Sequence, residues 1–179
     1  MSGTYDVVLL VEQALTLADA RQVLSLHEEL DDPVVYHVLL PLEDAAARIE
    51  ASRGGLSGGE LMGNPTSGMQ EADIEAVQHE LLEQARSDVG ECIDRMTNTG
   101  CDVVGEVVTA DPIDALAAKV QEVDAAEAII LTRPHVVSEF FHLDWTSRAR
   151  RKLGVPVLHL LEHENFDEQA GSGEGVTGM

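Results

Sequence analysis

Basic residues are scarce in this sequence. Eleven lysines and arginines stand against 33 aspartates and glutamates, a formal charge of −22, and only Lys119 and Lys152 of the eleven are lysines. No face able to cover phosphates can be assembled, so nucleic acid is excluded as a partner: the field of the whole molecule repels a polyanion. Cysteine is nearly absent as well. Cys92 and Cys101 form no CxxC and have no companion pattern of His or Cys for zinc, which fits a reduced, cytoplasmic chain. Cys92 falls on the apolar face of an expected helix and reads as a buried small hydrophobe. No apolar run approaches the roughly 20 residues that a membrane-spanning helix needs, and no basic segment precedes an apolar stretch, so neither a membrane nor export is expected. Aromatic residues amount to 3% of the chain, and half of them, Phe140, Phe141 and Trp145, gather within six positions, as core capping the sheet or as an anchor for a partner.

What is present is a regular alternation. Asp6 to Val11 (DVVLLV) and Val34 to Leu40 (VVYHVLL) are short continuous apolar runs, as expected of parallel strands buried on both faces. Between them, Thr16 with Asp19 makes a capping box, and Leu17, Ala20, Val23, Leu24 and Leu30 recur at helical spacing until Asp32-Pro33. The alanine-rich stretch 43–52 predicts a further turn or two of helix, and the glycine-rich Gly54 to Gly68 a mobile loop. Its Leu56 to Glu60 looks like a transporter signature, but no GxxxxGK(S/T) accompanies it. Ile74, Val77, Leu81, Ala85, Val89, Cys92 and Met96 mark one face of a long helix closed by Gly100. Val103 to Val108 is a third strand. Asp111-Pro112 then places a capping acid before a proline at the first helical position. Ala128 to Leu131 and Val155 to Leu161 complete five strands, with a helix between them expected to be capped at Asp144. Strands alternating with helices imply right-handed crossovers and a three-layer α/β/α domain with a five-stranded parallel sheet, over residues 1–163. Residues 164–179 lack periodicity and are expected to form a disordered acidic tail.

Three segments together resemble the universal stress protein family, over about residues 5 to 162. Val11-Glu12 is similar to the family's strand-one end, where an aspartate contacts the adenine and ribose. His37-Val38 resembles the His-Val pair whose valine backbone contacts adenine. Ala110-Asp111-Pro112 through Leu131 is similar to the Gly-Asp-Pro helix start and the acidic turn before strand four. ATP-binding members carry G-x2-G-x9-G-(S/T) after strand four, because glycine lets backbone N–H groups approach phosphates. Here the corresponding positions are Thr132, His135 and Trp145, with Thr146 keeping the hydroxyl type.

The resemblance therefore implies a non-catalytic regulatory or scaffolding protein of the stress response with no cofactor, ATP in particular being excluded by a filled site. The alternative is a sensor or weak ATPase holding ATP or AMP. The candidate crevice, at the sheet's carboxyl edge where strand order reverses, is bounded by Glu12, Val38, Thr132, Arg133, His135, Trp145 and Thr146. A small molecule less charged than ATP would suit it. Arg133, Arg148, Arg150 and Arg151 form the one basic cluster, read as ion pairs along a helix face or as an attraction for a smaller anion. The family's pairing through strand five implies a homodimer with Val155, Val157 and His159 at the contact, beside an unidentified protein partner. His159 and His163 are four apart but span a strand end, so no metal is expected; His37 and His159 read as sheet residues.

Overall fold

The computed structural model describes residues 3–42, 71–132 and 141–162, with the side chains of 71–73 and 141–145 set aside. The expected helix at 43–52, the glycine-rich loop and the acidic tail lie outside the described residues. Among the described residues five strands and four helices follow in alternation: β1 (Tyr5–Val11), α1 (Leu17–Ser25), β2 (Val34–Pro41), α2 (Glu71–Thr97), β3 (Asp102–Val108), α3 (Pro112–Glu122), β4 (Glu127–Thr132), α4 (Phe141–Lys152) and β5 (Val157–Leu161). All neighbouring strands are parallel, in the order β3-β2-β1-β4-β5. The chain builds outward from β1 through β2 to β3, then returns to the other side of β1 with β4 and β5. The order thus reverses between β1 and β4.

The apolar runs become strands because both faces are covered. Val7, Leu9 and Val11 pack with Ala20 and Val23 of α1 and with Ala85, Val89, Cys92 and Met96 of α2. Val8 and Leu10 face the opposite layer, where Ile113, Leu116 and Val120 of α3 and Ala149 of α4 close a second core. Alternate residues of one strand therefore serve two separate cores, as the period of two requires. Full burial of each such side chain contributes about 1.5–3 kcal/mol.

Helix starts agree with the sequence. Thr16 accepts from the Asp19 N–H at 3.1 Å while Asp19 accepts from the Thr16 N–H at 3.2 Å, a complete capping box. Gly100 follows α2 with a φ of +90°, a conformation that favours glycine. Three expectations are corrected. First, α1 ends at Ser25, and Leu17 at its start and Leu30 beyond its end are exposed rather than inward. The backbone tightens there, with Leu26 N–H donating to the Val23 carbonyl and His27 N–H to that of Leu24, so the last apolar positions rotate off the core face. Second, Ile74 lies exposed on α2: the 27-residue helix is about 40 Å long at 1.5 Å per residue and outruns strands of seven or eight residues. Third, α4 begins at Phe141, so Asp144 sits inside the first turn instead of capping it.

The turn after α1 aims His27 inward, which no local pattern announces. Its Nδ1 lies 2.7 Å from the Tyr36 hydroxyl, and its Nε2 meets Glu127. Burial, then Cys101 and Glu127 nearby, push the Tyr36 phenol well above its usual range, so it remains a donor to the imidazole. A buried polar trio thereby ties α1, β2 and β4 together at the amino edge of the sheet.

Candidate ligand site at the carboxyl edge of the sheet

Open parallel sheets bind ligands outside the carboxyl ends of strands where their order reverses. Here that is the gap between Val11 of β1 and Thr132 of β4. Glu12 and Gln13 follow β1 directly and are both partly buried. Thr132 is fully buried, and its hydroxyl lies 2.8 Å from His159 Nε2 on β5. Its carbonyl accepts from the Glu162 N–H at 2.8 Å. Gln13 Nε2 donates to Glu162 Oε2 at 2.5 Å. The ends of β1, β4 and β5 are therefore joined by polar contacts.

The turn carrying Glu12 and Gln13 is held from behind by α2. The Leu15 N–H donates to Cys92 Sγ at 3.3 Å, and the Leu15 carbonyl accepts from the Arg95 guanidinium. Arg95 is itself paired with Glu91 at 2.7 Å. Cys92 is the buried small hydrophobe expected from the sequence, and it also acts as an acceptor for this turn. Burial foremost pushes its thiol up, against the Leu15 N–H and the Arg95 charge, which keeps it neutral.

Not all expected site residues meet here. Val38 is fully buried inside β2, paired with Leu9 on one side and Gly105 on the other, and β2 runs on to Pro41. Its backbone groups lie within the ladders, so it is a core residue rather than a base contact; the apolar Leu39 and Leu40 prolong the strand past it. Thr146 lies on α4, and its Oγ1 is buried with no hydrogen-bond partner among the described residues. Trp145 also lies on α4, but its side chain, like Arg133 and His135 altogether, is outside what is described. Of the basic cluster, Arg148 pairs with Asp111 at 3.1 Å, while Arg150 and Arg151 are exposed. Pairing along the helix face is what Arg148 does.

The residues expected at a dimer contact lie in and just before β5. Val155 precedes β5, Val157 packs against the α3 and α4 layer, and His159 turns to Thr132. The apolar side chains that β5 exposes are Leu158 (38%) and Leu161 (47%). Sequence reasoning missed Gln13, Leu15 and Glu162, whose partners are distant in the chain.

No protein-family model matches the sequence, and no curated protein matches it. Solved structures do. The hypothetical protein MJ0577, described as a test case of structural genomics, superposes with a TM-score of 0.58 at 14% identity, covering 90% of this chain and 98% of its own. A universal stress protein in complex with cAMP gives a TM-score of 0.50 at 14% identity, covering 88% and 98%. A universal stress protein family member from Arabidopsis thaliana with AMP bound gives 0.48 at 10% identity, covering 94% and 97%. The expectation that the fold goes with no cofactor is corrected by the second of these: a protein with this fold holds cAMP. Among the described residues no helix is long and apolar enough to cross a membrane. A five-stranded parallel sheet in the order β3-β2-β1-β4-β5 between two helical layers gives this chain the fold seen in a universal stress protein.

Proposed function

We propose that this chain is a regulatory protein of the universal stress type that binds an adenine nucleotide at the carboxyl edge of its sheet, and that it acts by changing partners rather than by catalysis. The observation that carries the reading is the convergence of Glu12, Gln13, Thr132 and Glu162 on the switch point between β1 and β4. The Thr146 hydroxyl, buried with no hydrogen-bond partner among the described residues, supports it: a desolvated hydroxyl left so costs about 1–3 kcal/mol, which a ligand acceptor would offset. The cAMP held by a protein of the same fold supports the choice of ligand. The strong negative charge favours a mononucleotide or cyclic nucleotide over a triphosphate.

The protein acts as a homodimer formed along β5, the sheet edge that exposes Leu158 and Leu161. Titration calorimetry with AMP, cAMP and ATP tests the first part: binding of AMP or cAMP at about micromolar Kd, with ATP weaker, is expected. Saturation at a hundred times Kd would add about 2.7 kcal/mol to stability. Sedimentation tests the second: a dimer is expected for the wild type and a monomer for Leu158→Glu. No heat and no thermal shift with any of the three would overturn the nucleotide reading, and a wild-type monomer the dimer.

A further inference from the structure

The side chain best placed to recognise a ligand here is one that the resemblance does not single out. Gln13 stands two residues beyond the end of β1, and its Nε2 donates to Glu162 Oε2. A carboxylate accepts only, so this contact sets which branch of the amide is nitrogen. The other branch, Oε1, receives no hydrogen bond from any described residue, and Gln13 is partly exposed. The amide thus keeps one acceptor and one further N–H for a ligand. Its backbone is fixed in advance, because the Leu15 peptide two residues on is gripped at its N–H by Cys92 and at its carbonyl by Arg95. A recognition group held from both sides meets its ligand without being ordered by it.

Charge decides which end of a nucleotide comes here. Gln13 lies between two carboxylate-bearing residues, Glu12 beside it in the chain and Glu162 across the edge. A phosphate is disfavoured in that field, so the uncharged base is the end that approaches. An amide offering an acceptor and a donor in one plane matches the N6 amino group and N7 of adenine, whereas a 6-oxo purine presents an acceptor to Oε1.

Resting on the nucleotide reading above, we infer that Gln13 is the specificity-determining residue of the crevice, selecting a 6-amino over a 6-oxo purine through an amide oriented by Glu162. Calorimetry with AMP and IMP on wild type, Gln13→Ala and Glu162→Gln tests it. The wild type should prefer AMP by about ten- to hundredfold. Gln13→Ala should bring the ratio near one by weakening AMP more than IMP. Glu162→Gln, which frees the amide to turn over, should lower the ratio as well. Equal binding of AMP and IMP by the wild type, or an unchanged ratio in Gln13→Ala, would overturn the inference while leaving the nucleotide reading intact. Binding of neither by the wild type would overturn both. The wild-type ratio needs no variant to fold, and a purely structural role for Gln13 would weaken both ligands alike.

Discussion

Gly105→Ala is expected to destabilise the protein by about 1–3 kcal/mol, a large effect for one added methyl group on an edge strand. A β-carbon there would lie 2.6 Å from Val89 Cγ1 and 3.1 Å from Ile93 Cδ1. Both atoms belong to α2, whose Val89 is buried in the core that α1 and α2 share with the sheet. Ile93 Cδ1 ends a long, partly buried side chain and can give way, but Val89 is buried and branched at its β-carbon, so the closer contact is the costly one. The backbone of Gly105 does not itself call for glycine, since it sits in regular β3; the requirement is for room. Val89→Ala should therefore rescue it. Alone, that change empties space and costs about 1–3 kcal/mol. In combination the alanine at 105 fills part of the gap, so the double variant should be more stable than the sum of the two losses by about 1 kcal/mol or more. Urea unfolding of the four proteins measures the coupling. Strict additivity would show that α2 is not seated on Gly105.

That contact marks the boundary of what the sequence reveals. The strands, the sheet's parallel character, the capping box at Thr16 and the Asp111-Pro112 start follow from patterns within ten residues, and the structure has them. Gly105 stands in the third strand, and its reason is Val89 on another element. The same holds for His27, whose carboxylate partner Glu127 is 100 residues away. Helical spacing alone would have carried α1 through Leu30, whereas the turn that presents His27 ends it at Ser25.

The ligand site divides along the same line. That a candidate site would lie where strand order reverses is expected from the alternation of strands and helices; that the reversal falls between β1 and β4 comes from the sheet order, and Glu12 and Thr132 stand at that edge. Val38 lies within β2 rather than at its end, because a resemblance in residue type does not fix how far a strand continues. Gln13 and Glu162, 149 residues apart, were not legible: each is an ordinary polar residue next to a strand end, and only the sheet order brings them together. The signal that could have pointed to them is position, since Glu162 directly follows β5 and Gln13 stands two residues beyond β1, the strands that flank β4.

Asp111→Ala is the second substitution expected to matter, and its effect should depend on pH. One oxygen, Oδ1, accepts from the Ile113 N–H at 3.0 Å, the Asp114 N–H at 3.1 Å and Arg148 Nη2 at 3.1 Å. The first two cap α3, and their loss costs about 0.5–2 kcal/mol. The pair with Arg148 is substantially exposed on both sides and adds little, but it joins α3 to the helix that carries Thr146. Burial is the largest single influence on this carboxyl and opposes ionisation. The Asp114 N–H, Arg148 and the Ile113 N–H together outweigh it and hold the group below the usual carboxylate range. A depressed value in the folded state means that the ionised cap stabilises fully above the unfolded carboxyl's pKa. That contribution falls away as pH drops through the lower, folded value. Asp111→Asn keeps an acceptor without the charge, so its deficit relative to wild type should be present at pH 7 and shrink below about pH 4. Chemical unfolding at steps of pH follows the difference between the two. A deficit that stays constant across that range would mean that the cap acts through shape alone, and that Arg148 is free to serve an incoming anion instead.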